Sequence, residues 1–394
     1  MAVEGKSETT MRRRLRLGMV GGGPGAFIGG VHRMASRLDG HYELVAGAMA
    51  SDPARARAGA AMVGITPDRA YGNFEEMVAG EKTRPDRIDA VAIVTPNFAH
   101  HAAAKAFLKA GFHVICDKPV TTSLATALDL AETVKSTGMI FSLTHNYTGY
   151  PMVRQAREMV AAGEVGKVRV VQVEYAQDWL TTPLERTGQK QAEWRTDPAR
   201  GGPAGCLGDI GTHAYHLAAF VTGLQCQELA ADLSIFVPGR RLDDNVHVML
   251  RYCEGARGML WASQVAPGNE NNLRLRVYGE RAALEWHQED PNYLGFTPLG
   301  EPPRLIRRNG AGARPVAGHA SRVPAGHPEG YLEAFAQLYT DLAEQIAARI
   351  EKRAPDPASL LVPGIADGVA GMRFIEGALE SSRRNAARVP LAIA

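Results

Sequence analysis

The chain is poor in cysteine, which argues against the protein classes that are built on disulfides or on structural zinc. Its four cysteines include no C-x-x-C pair. Disulfide frameworks and structural zinc sites need cysteines at short, regular spacings. A reduced protein of the cytoplasm is therefore expected.

A surplus of charge of either sign is also missing. The 44 Lys and Arg residues stand against 42 Asp and Glu residues, which gives a formal net charge of +2 at pH 7. Proteins that bind nucleic acid or acidic membranes usually carry a basic excess, so neither partner is expected. No uninterrupted apolar run reaches membrane-spanning length, and the N-terminus lacks the apolar stretch of a signal peptide.

What the chain does have is length and an ordinary globular composition. It has 394 residues, of which 45% are apolar and 22% are charged, and at this length two domains are expected. In the first third, short apolar runs alternate with helical patterns, as in a parallel sheet covered on both faces. The candidate strands are Leu15–Val20, Tyr42–Ala48, Asp89–Val94, Phe112–Cys116 and Met139–Leu143.

A glycine-rich loop follows the first candidate strand and opens a helix. In "GGGPGAFIGG" the first two glycines of a dinucleotide-binding fingerprint are Gly21 and Gly23, and Ala26 stands at the third small position. Glycines let the backbone approach a pyrophosphate, and the amides of the next helix face that anion. The cofactor contacts expected in this loop are Gly21, Gly23, Gly25, Ala26, Phe27 and Ile28.

Recognition of the ribose leaves two cofactors open, NAD and NADP. An NAD site usually has an acidic residue at the end of the second strand, where this chain has Ala50 and Ser51. The missing carboxylate, with Arg55 nearby, tolerates a 2′-phosphate and slightly favours NADP. Asp52 follows one residue later, and it can simply cap the next helix.

Beyond about residue 146 the apolar pattern changes to alternation. Val246, Val248 and Leu250 alternate with His247, Met249 and Arg251, which is typical of antiparallel strands with one covered face. The predicted fold is α/β: an N-terminal Rossmann-type, doubly wound parallel sheet, then a C-terminal α+β domain with a largely antiparallel open sheet. The predicted domains are residues 12–145 and 146–394, and the C-terminal helices could return to pack on the first domain. Glu301–Gly330, rich in Gly, Pro and Arg, is predicted to be a long loop.

The stretch "LGDIGTHAYHL" (Leu207–Leu217) places three titratable residues close together. Asp209, His213 and His216 have helical spacings of four and three, so a helix brings all three to one face. A metal site, a proton-transfer pair and a polar helix cap all fit this face. A metal would need a further ligand and an open position, and a cap would account for Asp209 but not for His213.

Two stretches resemble the signatures of the Gfo/Idh/MocA oxidoreductases, the relatives of glucose–fructose oxidoreductase and inositol dehydrogenase. "VTPNFAHHAAAKAFLKAGFHVICDKPV" (Val94–Val120) is similar to their T-P-N-x-x-H … E-K-P segment, and "GDIGTHAYHL" is similar to their G-D-x-G-x-H-x-x-D motif. The order and spacing agree over most of the chain. Asp117 replaces the usual Glu and His216 replaces the last acidic residue, so the resemblance does not identify the substrate.

The resemblance implies a catalytic set of Lys118, Asp209 and His213, with His213 as the base. A histidine can take the proton of a substrate hydroxyl, and a carboxylate one turn away can orient that histidine. A lysine can stabilise the substrate oxygen. Proton transfer is therefore favoured over metal binding, and no metal is expected.

Further contacts follow from the same resemblance. The cofactor contacts beyond the glycine loop are Ser51, Thr95, Pro96, Asn97, His100, Asp117, Lys118 and Asn146. The substrate contacts are Lys118, Tyr147, Tyr175, Trp194, Arg195, Asp209, His213 and His216. For Tyr175, Trp194 and Arg195, a structural role is an equally good explanation: the aromatic rings can simply pack, and the arginine can be a loop charge. His100 stands at a helix start, where a histidine side chain is usually exposed.

The sequence thus predicts an NAD(P)-dependent oxidoreductase that moves a hydride between nicotinamide and the hydroxyl-bearing carbon of a sugar, cyclitol or sugar derivative. The resemblance also implies a homodimer or homotetramer, with substrate binding and oligomerisation assigned to the second domain. One alternative is a glycosidase that holds NAD tightly and oxidises, eliminates, rehydrates and reduces back. The other is a non-catalytic NAD(P) sensor, which the intact catalytic set makes the weakest of the three.

Overall fold

A computed structural model describes residues 13–391 of the chain, so Arg12, the first residue of the predicted N-terminal domain, lies outside the described residues. The chain divides into two compact units. The first unit holds the residues up to Thr121 with Ala125–Gly149 and Tyr331–Val369, and the second holds Thr122–Leu124, Tyr150–Gly330 and the residues from Ala370. Parts of the C-terminal region therefore belong to each unit.

The sheet of the first unit is parallel throughout. Its strands are β1 (Leu15–Gly21), β2 (Tyr42–Ala48), β3 (Ala90–Val94), β4 (His113–Cys116) and β5 (Phe141–Leu143). They lie in the order β2-β1-β3-β4-β5, and every neighbouring pair is parallel. This confirms the predicted doubly wound sheet. The order reverses between β1 and β3, and open sheets of this type bind ligands outside the carboxyl ends of the strands at that point.

Helices cover these strands and those of the second sheet. In chain order they are α1 (Phe27–Leu38), α2 (Pro53–Met62), α3 (Phe74–Thr83), α4 (His100–Lys109), α5 (Leu124–Thr137), α6 (Pro151–Ala161), α7 (Lys190–Arg195), α8 (Pro198–Gly201), α9 (Thr212–Thr222), α10 (Pro315–His319), α11 (Tyr331–Glu351) and α12 (Ile365–Arg383). Local chemistry sets several of their ends. Asn73 caps α3 through the backbone N–H of Glu76, and Gly223 ends α9 in the left-handed conformation.

The helix α11 completes the core of the first unit. Its Phe335, Leu342 and Ile346 side chains are buried in one cluster with Leu17 of β1 and Ala92 of β3. Burial of each large apolar side chain contributes about 1.5–3 kcal/mol. A helix far along the sequence therefore covers the N-terminal sheet.

The sheet of the second unit is largely antiparallel. Its strands are β6 (Val168–Ala176), β7 (Cys226–Ser234), β8 (Asn245–Tyr252), β9 (Arg257–Ser263), β10 (Asn272–Gly279), β11 (Ala282–His287), β12 (Tyr293–Pro298), β13 (Arg304–Arg307) and β14 (Val389–Pro390). Their order is β13-β12-β11-β10-β6-β9-β8-β7-β14. Among the strand pairs of this sheet within residues 13–391, only β6 and β9 are parallel, so the predicted α+β domain with a largely antiparallel open sheet is confirmed.

The alternation of residues in the sequence matches the alternation of buried and exposed side chains in this second sheet. In β8, Val246, Val248 and Leu250 are buried, whereas His247 and Met249 are exposed. The helix α9 packs against β6, β9 and β10. The histidine-containing helix therefore lies over the middle of the sheet.

The predicted long loop Glu301–Gly330 is wrong in part. The strand β13 lies within it and pairs with β12, and α10 starts at Pro315. Both elements are short, and Leu305 of β13 is exposed. Neither a period-two nor a helical apolar pattern could therefore develop among the Gly and Pro residues.

One segment, Pro357–Arg383, is apolar and long enough to span a membrane by composition, with a mean hydropathy of 1.3. It contains a 3₁₀ turn, Pro357–Leu361, followed by α12. In the second unit, Phe374 of α12 is buried, and the Ser381 hydroxyl accepts a hydrogen bond from the Ala231 N–H of β7 at 2.8 Å. The core helix of a globular protein reaches the same hydropathy, so length and composition alone do not assign this segment to a membrane.

Candidate functional site

The glycine-rich loop joins β1 to α1 with backbone that glycine adopts most easily. Gly21, Gly22 and Gly25 have φ angles of 77°, 66° and 87°, in the left-handed region. A Cβ on Gly23 would lie 2.6 Å from the Met49 carbonyl oxygen. The first turn of α1 has no acidic residue, so its free amides suit an anionic pyrophosphate.

The close approach between this loop and the helix falls at Gly29 and not at Ala26, where the sequence places the third small residue. A Cβ on Gly29 would lie 2.1 Å from the Gly22 carbonyl oxygen and 2.4 Å from the Gly22 Cα. Ala26 precedes α1 in an extended conformation. Phe27 is 68% exposed, and Ile28 is partly buried. Sequence reasoning missed Gly22 and Gly29, although both stand within the quoted glycine run.

After β2, the carboxylate nearest the expected ribose position is committed to a helix cap. Asp52 Oδ1 accepts a hydrogen bond from the Arg55 N–H at 2.8 Å at the start of α2. Ser51 is exposed. The capping alternative for Asp52 therefore holds, and Ser51 stands where an NAD site usually has an acidic side chain.

Two of the predicted cofactor contacts carry buried polar atoms that lack a protein partner. The Thr95 hydroxyl, after β3, and the Asn146 side-chain amide nitrogen, after β5, have no hydrogen-bond partner within residues 13–391. A buried, unpaired donor costs about 1–3 kcal/mol, which a ligand that pairs with it would recover. Together with the glycine loop, which has little side-chain bulk, these unpaired polar atoms are suited to bind a dinucleotide. In the same segment Pro96 is partly buried and Asn97 is buried.

His100 is buried, contrary to its expected exposure. Its Nε2 lies 2.9 Å from the Thr95 carbonyl oxygen and its Nδ1 lies 2.9 Å from the Pro119 carbonyl oxygen. Burial lowers the pKa of His100, although Asp117 acts in the opposite direction. Both ring nitrogens have protein partners, so His100 links the segments that follow β3 and β4 and offers the cofactor no ring nitrogen.

Asp117 and Lys118 follow β4 directly, at the carboxyl edge of the first sheet. Asp117 Oδ1 accepts hydrogen bonds from His32 Nε2 at 3.0 Å and from the Thr144 hydroxyl at 2.5 Å. Burial alone would raise the pKa of Asp117, but His32 and Thr144 outweigh burial and hold the pKa below its usual range. The peptide between Lys118 and Pro119 is cis.

In the second unit, the motif residues lie on one continuous helical segment. Asp209 lies in a π-helical turn, Leu207–Gly211, that leads directly into α9 with His213 and His216. Single π turns within helices are frequent at functional sites. The Asp209 carboxylate accepts a hydrogen bond from Gln264 Nε2 at 2.9 Å.

The two motif histidines are nearly buried, each about 7% exposed. The Tyr175 ring lies 6.3 Å from the His213 ring, measured between centroids. His216 stacks on Phe220 at 6.1 Å. His216 therefore meets an aromatic partner at the position where the family pattern has a carboxylate.

A network of amide side chains runs along the strand ends near this motif. Asn271 Oδ1 accepts hydrogen bonds from the Tyr175 hydroxyl at 2.7 Å and from Gln177 Nε2 at 2.8 Å. Gln264 Nε2 lies 3.4 Å from Gln177 Oε1 and also donates to Asp209. Gln177, Gln264 and Asn271 were not predicted. Each is a polar residue directly next to a strand: Gln177 follows β6, Gln264 follows β9 and Asn271 precedes β10.

Trp194 and Arg195 lie together at the end of α7. The Arg195 guanidinium carbon lies 4.2 Å from the Trp194 ring centroid. Arg195 Nε also lies 3.3 Å from Asp209 Oδ2, as an ion pair. The structure thus brings Arg195 and Asp209 together as an ion pair, which the sequence did not predict.

Each unit thus gathers its own set of predicted residues. The first unit gathers the glycine loop, Thr95–Asn97, Asp117 with Lys118, and Asn146 at one sheet edge, with Tyr147 buried beside Asn146. The second unit gathers Tyr175, Arg195, Asp209 and His213. No group of three or more His, Cys, Asp or Glu side chains within residues 13–391 is arranged to hold a metal ion.

Comparison with known proteins identifies the family. Residues 15–145 match the model of the oxidoreductase family with an NAD-binding Rossmann fold, and residues 153–285 match the GFO/IDH/MocA C-terminal domain. The uncharacterized oxidoreductase YfiI of Bacillus subtilis (strain 168) is 33% identical over 96% of this chain and 97% of its own length. The chain belongs to the GFO/IDH/MocA oxidoreductase family.

Several solved structures are similar to this chain over nearly its whole length. An oxidoreductase from Sinorhizobium meliloti is 54% identical with a TM-score of 0.88, covering 96% of this chain and 99% of that one. An inositol dehydrogenase homologue from Azotobacter vinelandii, complexed with NAD⁺, is 36% identical with a TM-score of 0.92, covering 97% and 98%. A second structure of an A. vinelandii inositol dehydrogenase homologue, also similar to this chain (35%, TM-score 0.88), holds NADH and myo-inositol. The predicted family, and with it an NAD-binding oxidoreductase fold, is confirmed.

Proposed function

We propose that this GFO/IDH/MocA oxidoreductase is an NAD(P)-dependent dehydrogenase of a sugar, a cyclitol or a related polyol. The main support is the Asp209–His213 segment, where a nearly buried imidazole follows a carboxylate that Gln264 and Arg195 hold in place. The similar A. vinelandii structure with NADH and myo-inositol supports a polyhydroxylated substrate.

In this proposal His213, Asp209 and Lys118 act at one hydroxyl group of the substrate, on the carbon that loses the hydride. An imidazole nitrogen of His213 takes the hydroxyl proton, and the Asp209 carboxylate stabilises the imidazolium that forms. The Lys118 ammonium donates a hydrogen bond to the same oxygen as its negative charge develops. The glycine loop, Thr95 and Asn146 would hold the dinucleotide, and its nicotinamide would accept the hydride.

The test is the near-ultraviolet absorbance of reduced nicotinamide. The purified protein is mixed with cyclitols, aldoses and sugar acids, each with NAD and with NADP. A rise with one class of polyol supports the proposal. No rise on any of them, together with nucleotide that remains bound to the protein, contradicts it and favours the redox-neutral glycosidase, which is then assayed by sugar release from glycosides.

Cofactor choice depends on Ser51 in this proposal, and the protein accepts both NAD and NADP with a slight preference for NADP. Ser51→Asp places a carboxylate where it would bind the ribose hydroxyls of NAD and repel the 2′-phosphate of NADP. We expect the preference to shift towards NAD by about tenfold or more, which corresponds to about 1.4 kcal/mol. The measurement is the ratio of the NADH and NADPH dissociation constants by fluorescence. Ser51→Asn is the uncharged control, and an equal shift in that variant would contradict an electrostatic role.

We also propose that the protein is a homo-oligomer that pairs through the outer face of its second sheet. Met249 and Met259 lie opposite each other on β8 and β9, and they are 56% and 44% exposed. They alternate with buried residues, so they face away from the sheet's covered side. Light scattering is expected to give a dimer or a tetramer, and Met259→Asp is expected to shift it towards the monomer. A monomeric wild type at micromolar concentration would contradict the proposal.

A cytoplasmic location completes the proposal. Cys116, Cys206, Cys226 and Cys253 are all free, and the first three are buried. Free, buried cysteines are typical of proteins that stay in a reducing compartment. Localisation of a tagged, full-length chain in its own cell would test this point.

A further inference from the structure

His32 is a fully buried histidine (0% exposed) outside every motif that the sequence singled out. It lies on α1, and each ring nitrogen meets a polar group of another element. Nε2 is 3.0 Å from Asp117 Oδ1, after β4, and Nδ1 is 2.8 Å from the Tyr339 hydroxyl on α11. One imidazole thus joins three elements of the first unit.

The partners determine where the protons lie. An ionised carboxylate can only accept a hydrogen bond, so the Nε2–H of His32 donates to Asp117. Burial raises the pKa of Tyr339 far above that of free tyrosine, so its hydroxyl keeps its proton and can donate to Nδ1. The arrangement is a buried Tyr–His–Asp relay in which one imidazole bridges the Tyr339 hydroxyl and the Asp117 carboxylate.

The relay ends one residue before Lys118. Asp117 receives its two hydrogen bonds, from His32 and Thr144, on the same oxygen. Without His32, the partly buried carboxylate would keep only one of these donors. Next to His32 in the sequence, Arg33 donates a hydrogen bond to the Gly22 carbonyl of the nucleotide loop. The helix α1 thus contacts both the nucleotide loop and the residue that precedes the lysine.

We propose that His32 is a positioning residue: through its hydrogen bond to Asp117 it fixes that carboxylate beside Lys118, and so sets the direction of the lysine ammonium. This inference rests on the proposed dehydrogenase function. A purely structural role is the alternative, because the His32 ring also packs on Phe335, with 5.1 Å between centroids. The two roles separate on substitution, since an apolar ring of similar size preserves the packing and removes the hydrogen bonds.

The test compares His32→Phe with His32→Gln. In His32→Phe we expect kcat to fall about 10- to 100-fold, as for a misplaced catalytic group, with the substrate KM changed much less. The pKa of Asp117 should rise, so the acid limb of the kcat profile moves to higher pH. The titratable groups that face Asp117 are His32 on α1, His100 on α4, Tyr339 on α11, and the adjacent Cys116 and Lys118. His32→Gln retains an N–H donor and should recover most of kcat and the original acid limb.

A second histidine–carboxylate pair serves as the control. His101 Nε2 lies 2.6 Å from Asp129 Oδ2 on the surface of α4 and α5, and His101→Gln is expected to leave kcat and the pH profile unchanged. If His32→Phe retains both the wild-type kcat and the wild-type pH profile, the positioning role is wrong. The role is also wrong if His32→Gln recovers nothing while it folds normally.

A readout without turnover separates this inference from the proposed function. Nitrogen NMR of labelled histidine should show His32 protonated at Nε2, with a signal that moves in Asp117→Asn and in Tyr339→Phe. Protonation at Nδ1 alone would overturn the relay even if the enzyme is active. If the wild type oxidises no polyol and the NMR result holds, the dehydrogenase proposal fails while the relay remains.

Discussion

Lys118→Ala is expected to lose turnover by about 10²–10³-fold while it still binds the dinucleotide. In the proposed mechanism the lysine ammonium donates a hydrogen bond to an oxygen whose negative charge develops during hydride transfer, and loss of one such donor costs about this factor. The glycine loop, Thr95 and Asn146 do not depend on the ammonium, so the affinity for NADH should change little.

His213→Ala, as the partner variant, is expected to lose about 10²–10⁴-fold, the range of a positioned general base. Because both residues are proposed to act on one substrate oxygen, the double variant should lose less than the product of the two single losses. The measurements are kcat and KM on the best substrate of the panel, with NADH binding by fluorescence quenching for each variant.

Lys105→Ala is the matched control for the lysine. Lys105 lies on α4, where its ammonium pairs with Asp129 at 2.6 Å, so the substitution removes the same charge from the same unit. It should leave kcat unchanged. Full activity in Lys118→Ala would exclude the lysine from the reaction, and a multiplicative double variant would show that the two residues act independently.

The fold was largely predictable because burial imposes a period on each strand. Strands buried on both faces, such as β3 with five buried residues, read as continuous apolar runs. Strands with one covered face, such as β8, read as alternation. The strand within Glu301–Gly330 could not be predicted in this way. β13 is short and exposed, and because it pairs only with β12 among the described strands it has no buried apolar face.

The site was predictable where its residues are close in sequence. The glycine loop, Asp117 with Lys118, and Asp209 with His213 each lie within a few positions of one another, so a motif could reveal them. Gln177, Gln264 and Asn271 are far apart in the sequence and adjacent only because the sheet places β10, β6 and β9 side by side. Strand order is a tertiary property, and no local pattern encodes it.

Local sequence also does not indicate how closely helices, strands and loops approach one another. The fingerprint indicated that a small residue was needed after Gly23, but the crossing of α1 over the loop decides which one. The contact falls at Gly29, whose Cα faces Gly22. Similarly, His32 lies on the buried side of α1, where only the positions of β4 and α11 reveal its partners.

The Gly22–Gly29 contact leads to the second large effect. Gly29→Ala is expected to destabilise the protein by about 1–3 kcal/mol and to weaken NADH binding severalfold or more. Its Cβ would lie 2.1 Å from a backbone oxygen and 2.4 Å from a backbone Cα, and backbone cannot turn aside as a flexible side chain can. Overpacking of this kind costs about that much. The loop must move away from α1, and its amides then no longer converge on one anion.

Gly30→Ala is the control that isolates this contact. Gly30 is the next residue of the same helix, and a Cβ there would meet only the end of the Arg33 side chain at 4.0 Å. Alanine is favoured over glycine inside a helix by about 0.5–1 kcal/mol, so Gly30→Ala should be as stable as the wild type or more stable, with NADH binding intact. Thermal unfolding and NADH titration of the two variants decide the matter. If Gly29→Ala behaves like Gly30→Ala, the close approach is not required, and the nucleotide loop tolerates a wider separation from α1 than the structure has.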